Sequence, residues 1–269
     1  MTSPGAENTR APLPAIVLAG ERPGGNALAR EHGVAAGVLV EVAGRPCIAR
    51  VIDALRASRA VRGGVVVGPD PAVLGNAPAL TALFAPGDFR WLAPAAGPSA
   101  SALAGLAALD TAPVLLTAGD HALLEPAVVD EFCAAALASP CDFVVGLVPH
   151  AIVAKCFPQS RRTVLRLRDG AWCGSNLFLV RTRAGARALE LWRALERDRK
   201  RPWRMAARLG PRTLLAWLTG RLTTDGAFAR LSALAGCRAG MCAVPHARAA
   251  VDVDSSADRA LAEEVLSRE

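Results

Sequence analysis

The residue whose position most directly indicates chemistry is Asp120. It follows the apolar run Val114–Leu116 and the residues Thr117-Ala-Gly119, so it lies at the carboxyl end of a predicted strand. A carboxylate there contributes little to stability, whereas its oxygens suit a hard cation such as Mg²⁺. The alternative is an ordinary N-cap of the following helix. We assign the adjacent His121 no role in proton transfer, because a histidine at this position could simply pack or form a hydrogen bond.

A second candidate site follows the first predicted strand, Ala15–Ala19. The strand ends in Gly20 and leads into the glycine-rich turn Glu21-Arg22-Pro-Gly24-Gly25-Asn26. Small residues at this edge of a sheet let backbone N–H groups approach a phosphate, which makes a nucleotide the first ligand to consider. The spacing matches neither a P-loop nor the dinucleotide fingerprint, so a bare surface turn is the alternative.

Two further acids stand near the end of the sequence. In Val251-Asp252-Val253-Asp254, alternation places Asp252 and Asp254 on the same face of an extended segment. Ser255 and Asp258 then approximate a capping box at the start of a helix. Two acids on one face repel each other unless a cation lies beside them.

An α/β framework is needed to position these residues. A strand, a helix and a second strand in that order favour parallel pairing. Strands are predicted at 15–19, 63–67, 89–92, 113–118 and 141–148, helices at 47–56, 102–109 and 127–137, and a hairpin at 163–180 with its turn at Asp169-Gly170.

Composition bounds the class of protein. With 269 residues and 52% hydrophobic content, the chain can form one large α/β domain or two small ones. It has no apolar run of about 18 residues, and Met1–Pro14 lacks the apolar centre of a signal peptide, so we expect a cytoplasmic protein. Its seven cysteines form no C-x-x-C pair, which indicates neither disulfides nor structural zinc.

The net charge of +7 comes almost wholly from arginine, because Lys155 and Lys200 are the only lysines. Such a balance suits phosphate-rich ligands or anionic surfaces, although a general preference for arginine over lysine would produce it too. No nucleic-acid partner is expected.

Several of these segments together resemble one family. Leu18-Ala19-Gly20-x-Arg22, then Leu39-Val-Glu-Val-Ala-Gly44-Arg45-Pro46 and the helix around 51–55, resemble the opening signature of nucleotidyltransferases of the molybdenum-cofactor (MobA-like) type. The later run Thr117-Ala-Gly-Asp120-His-x-Leu-Leu-x-Pro126-x-x-Val129 extends the resemblance.

This resemblance implies an α/β fold of the glycosyltransferase-A type, a three-layer sandwich with a mostly parallel central sheet and a small antiparallel hairpin region. Residues 1–12 would be a disordered leader. Residues 13–269 would form a single nucleotidyltransferase-like domain, with a basic helical insertion at about 185–235. The implied activity is Mg²⁺-dependent transfer of a nucleotidyl group from a nucleoside triphosphate, CTP or GTP favoured, to a phosphorylated small-molecule or lipid-linked acceptor, with release of pyrophosphate.

The resemblance also implies roles for particular residues. Arg22 and Asp120 would be catalytic, and Asp120 with Asp252 or Asp254 would hold the Mg²⁺. Ser99 and Ser101 would contact the nucleotide, although either could instead cap the following helix. Asn176 lies in a glycine–asparagine turn on the acceptor side, where it could equally stabilise its own backbone. The full set of implied binding residues is Leu18, Ala19, Gly20, Gly24, Gly25, Ser99, Ser101 and Asn176.

The chain departs from the family pattern in its first loop. A lysine usually precedes the Leu-x-x-x-x-Gly-x-Pro stretch, and here Gly37 takes its place, while Glu21 replaces a common second glycine. Either Arg22, Arg30 or Arg45 substitutes for the lysine, or catalysis is impaired. A glycosyltransferase that releases a nucleoside diphosphate and a degenerate, non-catalytic nucleotide-binding protein are the other classes considered.

Most of the net charge lies between residues 196 and 221, where seven arginines and Lys200 face Glu196 and Asp198, a balance of +6. Trp203, Trp217 and several leucines are interleaved with these charges, which is compatible with a basic amphipathic helix. A solvated charged face is the ordinary interpretation. The alternative is that 197–212 bind phosphate on the acceptor or an anionic membrane, in which case the protein would be peripheral to the inner membrane face.

Overall fold

The computed structural model describes residues 11–21, 25–198, 208 and 210–268. Strands in this part are β1 (Leu13–Leu18), β2 (Glu41–Val42), β3 (Arg45–Pro46), β4 (Val61–Val67), β5 (Phe89–Leu92), β6 (Val114–Ala118), β7 (Phe143–Pro149), β8 (Val164–Leu167), β9 (Gly170–Val180) and β10 (Ala239–Ala243). Its α-helices are α1 (Ala27–Glu31), α2 (Cys47–Ala57), α3 (Pro71–Gly75), α4 (Pro78–Ala82), α5 (Pro98–Leu109), α6 (Pro126–Ala138), α7 (His150–Cys156), α8 (Ala186–Asp198), α9 (Pro211–Leu218), α10 (Thr224–Ala235) and α11 (Ser256–Leu266).

The central sheet has eight strands, in the order β10-β7-β9-β6-β1-β4-β5 with β8 paired to β9. Strands β6, β1, β4 and β5 are parallel neighbours, whereas β9 runs antiparallel to both β6 and β7. The expected mostly parallel α/β sheet is therefore confirmed. The small antiparallel hairpin region is confirmed as β8–β9, and its second strand, β9, also lies within the central sheet. A separate two-stranded sheet, β2–β3, follows the first loop.

Helices cover the sheet on both faces. Alternate residues of β1 point to opposite sides, and Ala15 and Val17 pack in one apolar core with α2 and α6. Ile16 packs in the other core with α5 and α8. Gly105 of α5 allows that helix to lie close to the strand, since a methyl group there would come 2.9 Å from Ile16. The arrangement is the three-layer sandwich expected from the sequence.

The connections create a crevice between β1 and β6. From β1 the chain passes through α2 to β4 and on to β5, then returns along α5 to β6 on the other side of β1. Open α/β sheets bind ligands at the carboxyl ends of the strands where the order reverses in this way. The Gly119 N–H donates to the Leu18 carbonyl oxygen at 2.8 Å, so the tips of the two strands are joined.

Some sequence predictions need correction. Helix α5 begins at Pro98 with Gly97 as its N-cap, so Ser99 and Ser101 lie inside its first turns and do not cap it. The hairpin loop is Arg168-Asp169, because Gly170 already pairs with Leu167. Strand β10 was not predicted.

The domain prediction is only partly addressed by these elements. Residues 1–10 of the predicted leader lie outside the described residues. The described parts of 185–235 are mainly helical, as α8, α9 and α10. That this segment is an insertion into a single domain stays a prediction.

All seven cysteines are free thiols. Among the described helices, none has the length and apolar character needed to cross a membrane.

Candidate functional site

The carboxyl edge of the sheet brings Asp120 together with the two late acids. The Asp120 carbonyl oxygen accepts a hydrogen bond from the Val253 N–H at 3.1 Å, which holds the segment after β10 beside the tip of β6. Val251 and Val253 are buried at 0% and 1% exposure. Alternation then directs Asp252 and Asp254 to the cleft, where both line the same pocket as Asp120. Their expected common face is confirmed.

The helix after these acids is fixed by its own cap. Ser255 Oγ accepts a hydrogen bond from the Asp258 N–H at 3.2 Å and donates to Asp258 Oδ2 at 2.6 Å. This is the capping interaction that the sequence predicted at the start of α11. Because the N-cap Ser255 directly follows Asp254, the cap also fixes where the acidic segment ends.

The cleft consists of three adjoining pockets. The first, about 240 Å³, lies over the tips of β1 and β6 and includes Gly20 and Ser101. The second, about 280 Å³, lies over the first loop and includes Gly25 and Gly37. The third, about 280 Å³, lies beside the hairpin and includes Arg161. Asp254 lines all three pockets, so they form one continuous cleft.

A buried arginine supplies the positive charge beside Asp252. The Arg162 side chain is 9% exposed, and its Nη1 lies 2.5 Å from Asp252 Oδ1. Its Nη2 lies 2.5 Å from Asp258 Oδ1, and its Nε donates to Ser160 Oγ at 2.9 Å. The charge of Asp252 is therefore balanced by an arginine. Sequence analysis missed Arg162, because no local pattern links it to acids ninety residues further along the chain.

The carboxylates of the cleft suit Mg²⁺ only in combination with a ligand. No group of three or more His, Cys, Asp or Glu side chains in the described ranges is arranged to hold a metal ion. Glu21, Asp120, Asp252 and Asp254 line the first pocket, and Asp252 is also paired with Arg162. Since Mg²⁺ is commonly held by one or two carboxylates together with substrate phosphates, this donor set fits the ion.

The first loop is described only in part. Arg22 and Gly24 lie outside the described residues. Gly25 has a φ of +74°, and a methyl group added to it would lie 3.1 Å from Arg30 Nη1. The Arg30 guanidinium is therefore beside the loop. Arg45 forms an ion pair with Asp53 on the far side of α2 and lines none of the three pockets. Of the arginines expected to replace the missing lysine, Arg30 is near the loop and Arg45 is not.

Gly37 is enclosed on the side where a side chain would project. Its N–H donates to Glu21 Oε1 at 2.5 Å. A Cβ atom at this position would lie 2.1 Å from Asn26 Nδ2, well inside contact distance. Asn26 is itself fixed, because its Oδ1 accepts from the Ala29 N–H at 3.2 Å and caps α1. Any side chain at this position would therefore have to displace Asn26, and a carboxylate occupies a backbone donor of the loop.

The two serines of α5 have different surroundings. Ser99 is 1% exposed, and its Oγ donates to Glu196 Oε2 at 2.5 Å, which ties α5 to α8. It does not line the cleft. Ser101 does line the cleft, and its Oγ accepts from the Ala95 N–H at 3.0 Å. Of the two serines predicted to contact the nucleotide, only Ser101 is placed to do so.

Asn176 is in the cleft for a reason that the sequence did not show. It lies within β9, not in a turn, at φ +52°, a left-handed conformation that asparagine tolerates better than most residues. The register between β9 and β7 shifts at this point, and Ser175 Oγ donates to the Gly146 carbonyl oxygen at 2.7 Å. The irregularity brings Asn176 into both the first and the third pocket.

The remaining residues complete the walls of the cleft. Leu18 and Gly20 line its first two pockets at the tip of β1, whereas Ala19 is 1% exposed and packs in the core. Phe178 and Trp192 form an apolar side of the first pocket, with their rings stacked at 6.4 Å. His121 is fully buried, and this burial lowers its pKa to about 4. At neutral pH it is an uncharged packing residue.

The fold and site define an α/β protein with a ligand cleft at the switch point of its sheet, the architecture of nucleotidyltransferases. The model of the MobA-like NTP transferase domain matches residues 15–171. The chain therefore belongs to the MobA-like NTP transferase family.

Solved structures extend this likeness over nearly the whole chain. A hypothetical transferase from Thermus thermophilus is 31% identical, with a TM-score of 0.77 over 92% of this chain and 99% of its own. A 4-diphosphocytidyl-2C-methyl-D-erythritol synthase from Anaerococcus prevotii is 11% identical, with a TM-score of 0.59 over 96% of this chain and 100% of its own. A CMP:2-keto-3-deoxy-manno-octonic acid synthetase complexed with CTP is 12% identical, with a TM-score of 0.58 over 95% and 99%. The two low identities show the fold alone. No curated protein matches the chain.

Proposed function

We propose that this protein transfers a nucleotidyl group from a nucleoside triphosphate to a phosphorylated acceptor and releases pyrophosphate. The observation that carries the proposal is the position of Asp120 and Asp254. Both face one cleft at the switch point between β1 and β6, between the glycine-rich loop and the exposed Arg161 just before β8. Family membership supports the reaction class.

The first two pockets are assigned to the nucleotide. The apolar side formed by Phe178 and Trp192 suits a base, and Ser101 lies on the wall of the same pocket. The triphosphate would extend over the first loop, where Gly25 leaves the backbone open and Arg30 supplies charge. Asn176 lies between this side and the acceptor side, so it can contact either substrate.

The third pocket is assigned to the acceptor. Arg161 is exposed at its edge, while Arg162 forms its floor by holding Asp252 and Asp258. A phosphate bound there would have an oxygen directed at the α-phosphorus of the nucleotide. A new P–O bond forms at that phosphorus as its bond to the β-phosphate oxygen breaks, and pyrophosphate leaves. No covalent intermediate with the protein is required.

Asp120 and Asp254 would hold the Mg²⁺, which when bound would neutralise charge that develops on the phosphates. The protein's own contribution is to align the two substrates and to keep the carboxylates in place before they bind. The Val253-to-Asp120 hydrogen bond and the cap of α11 do this through the backbone.

The reaction class alone does not identify the nucleotide base. One structure of the same fold carries CTP. We propose CTP or GTP as the nucleotide here, on the family resemblance. Thermal stabilisation by each of the four triphosphates with Mg²⁺ identifies the base, because a ligand that binds only the native state raises its stability by RT ln(1 + [L]/Kd).

The reaction is then tested with the selected triphosphate, labelled at its α-phosphate, and a panel of phosphorylated acceptors including lipid-linked ones. We expect the label on the acceptor and one pyrophosphate released for each transfer. Release of a nucleoside diphosphate from a sugar nucleotide would instead make the protein a glycosyltransferase. Binding of a triphosphate without pyrophosphate release with any acceptor would favour a non-catalytic nucleotide-binding protein, the alternative that the Glu21-to-Gly37 contact supports.

A further inference from the structure

Helix α9 has an apolar surface that the rest of the described chain does not cover. None of its residues is buried. Leu215, Trp217 and Leu218 are 63%, 51% and 68% exposed. Leu215 and Leu218 are three residues apart and so share one side of the helix. Soluble proteins seldom leave adjacent large apolar side chains this exposed without a partner.

Positive charge surrounds this surface. Arg212 in the first turn of α9 and Arg221 just beyond its end are both exposed. The acids of the same stretch are directed elsewhere, because Glu196 accepts a hydrogen bond from Ser99 and Asp198, whose side chain is 9% exposed, pairs with Arg208. Residues 199–207, which carry further arginines in the sequence, lie outside the described residues. The described charges that flank α9, Arg212 and Arg221, are therefore positive.

The body of the protein holds the chain on both sides of α9. The Leu222 carbonyl oxygen accepts from the Arg168 N–H at 2.8 Å, and the Thr224 N–H donates to Asp169 at 2.8 Å. Before the helix, Arg230 Nη2 donates to the Arg208 carbonyl oxygen at 2.5 Å. These contacts attach α9 beside the β8–β9 hairpin while its own side chains stay exposed. Both ends of α9 are therefore held by the rest of the protein, and its exposed side chains are available to a partner.

We infer that α9 docks the protein on an anionic lipid bilayer. Leucine and tryptophan side chains of a short amphipathic helix enter the boundary between headgroups and acyl chains, and flanking arginines bind lipid phosphates. A membrane accounts for both halves of the pattern, whereas a nucleic acid would use the arginines and leave the leucines in water. The β8–β9 hairpin, whose loop anchors this region, also lines the third pocket through β9, so docking places the acceptor side of the cleft near the lipid.

The test is flotation of the full chain with two kinds of vesicle, without nucleotide, so its outcome does not depend on the proposed reaction. One kind is phosphatidylcholine alone, and the other contains one third phosphatidylglycerol. We expect binding to the anionic vesicles at low salt and its loss at about 1 M salt, where the Debye length is about 3 Å. Failure to bind anionic vesicles at low salt overturns the inference.

Variants separate the two parts of the surface. Leu215→Ser/Leu218→Ser removes apolar contact at exposed positions and should reduce partitioning at least tenfold without changing the melting temperature. Arg212→Gln/Arg221→Gln should reduce it by roughly fivefold for each charge. The matched control, Arg183→Gln/Arg268→Gln, removes the same charge at positions 77% and 72% exposed elsewhere and should bind like the parent.

Two results would assign the surface differently. If the control variant and the α9 arginine variant lose binding equally, vesicle binding depends only on the net charge of the protein. That result would overturn the inference that α9 is the docking helix. A parent that is dimeric by light scattering, and monomeric after Leu215→Ser/Leu218→Ser, would show that a second copy of the chain covers α9.

Discussion

The carboxylate edge and the glycine loop lie on opposite sides of one cleft, and the chain holds them very differently. On the carboxylate edge, Asp120 and the 251–254 segment are joined through the backbone, and Arg162 is buried beneath Asp252. On the loop side, the contacts are made by side chains near exposed glycines, and Glu21 accepts the Gly37 N–H.

This difference shows which part of the cleft is held more firmly. The acids of the cleft are held by backbone and buried contacts, whereas the loop depends on side-chain contacts. A Cβ atom at Gly37 would displace the Asn26 side chain, and Arg30 lies beside the loop. We therefore expect substitutions of the acids to change the rate of nucleotidyl transfer strongly, and substitutions in the loop to change triphosphate binding more moderately.

The largest effect is expected for Asp120→Asn. Turnover should fall by about 10²–10³, the usual consequence of losing a preorganised electrostatic group in an active site. The fold should be retained because the amide has the same shape. Pyrophosphate release and the melting temperature are measured together. Asp110→Asn, at a side chain 80% exposed, is the control that should leave both unchanged, and full activity in the Asp120 variant would remove this residue from the site.

Arg162→Ala should weaken the frame of the same edge. The substitution leaves Asp252 and Asp258 without their cation. Breaking a fully buried ion pair costs roughly 3–5 kcal/mol. Because both carboxylates are partly exposed, we expect the free energy of unfolding to fall by less, about 2–3 kcal/mol. Urea denaturation measures it. Arg183→Ala breaks an exposed pair and should cost less than about 1 kcal/mol. Similar costs for the two variants would show that the edge is not rigidly held.

Gly37→Lys should fail to restore a working loop. Its Cβ would displace Asn26 from the cap of α1, at a cost of about 1 kcal/mol. Triphosphate affinity should fall, and the variant should not rescue Arg22→Ala in a double-mutant cycle. Gly75→Lys adds the same side chain where nothing lies within 4 Å and serves as the control. Rescue of Arg22→Ala would mean that Asn26 yields and that arginine does replace the lysine.

The smallest effect is expected for Glu21→Gln. Removing a negative charge from the loop should tighten triphosphate binding by about fivefold, since two unit charges about 4 Å apart repel by about 1 kcal/mol in water. Calorimetric titration measures the dissociation constant. Glu190→Gln, at an exposed position of α8, should not change it. Weaker binding in the Glu21 variant would show that this carboxylate helps to organise the loop.

The sequence predicted the parallel core well because each buried strand there is a continuous apolar run followed by a turn. The runs Val65–Val67 of β4 and Val114–Leu116 of β6 are of this kind, and Asp120 was located from the second. The acidic segment was also predictable, since alternation of valine and aspartate shows its two faces.

The remaining features depend on contacts between distant residues. Nothing near Arg162 in the chain indicates that it will lie under Asp252, and the left-handed Asn176 arises from a register shift against β7. Ser99 looked like a helix cap or a nucleotide contact, but Glu196 of α8 binds it. Local patterns cannot reveal partners of this kind.

The hydrogen bond from Val253 to Asp120 has a consequence for synthesis on the ribosome. Strands β1, β4, β5 and β6 are all translated before Val253. The cleft cannot be completed at that stage, since Asp254 is translated long after Asp120. A chain that ends before Val253 would therefore lack Asp254 and the backbone hydrogen bond that holds its segment at the tip of β6. It would also lack the buried Leu261, Ala262 and Val265 of α11, which pack in the main core.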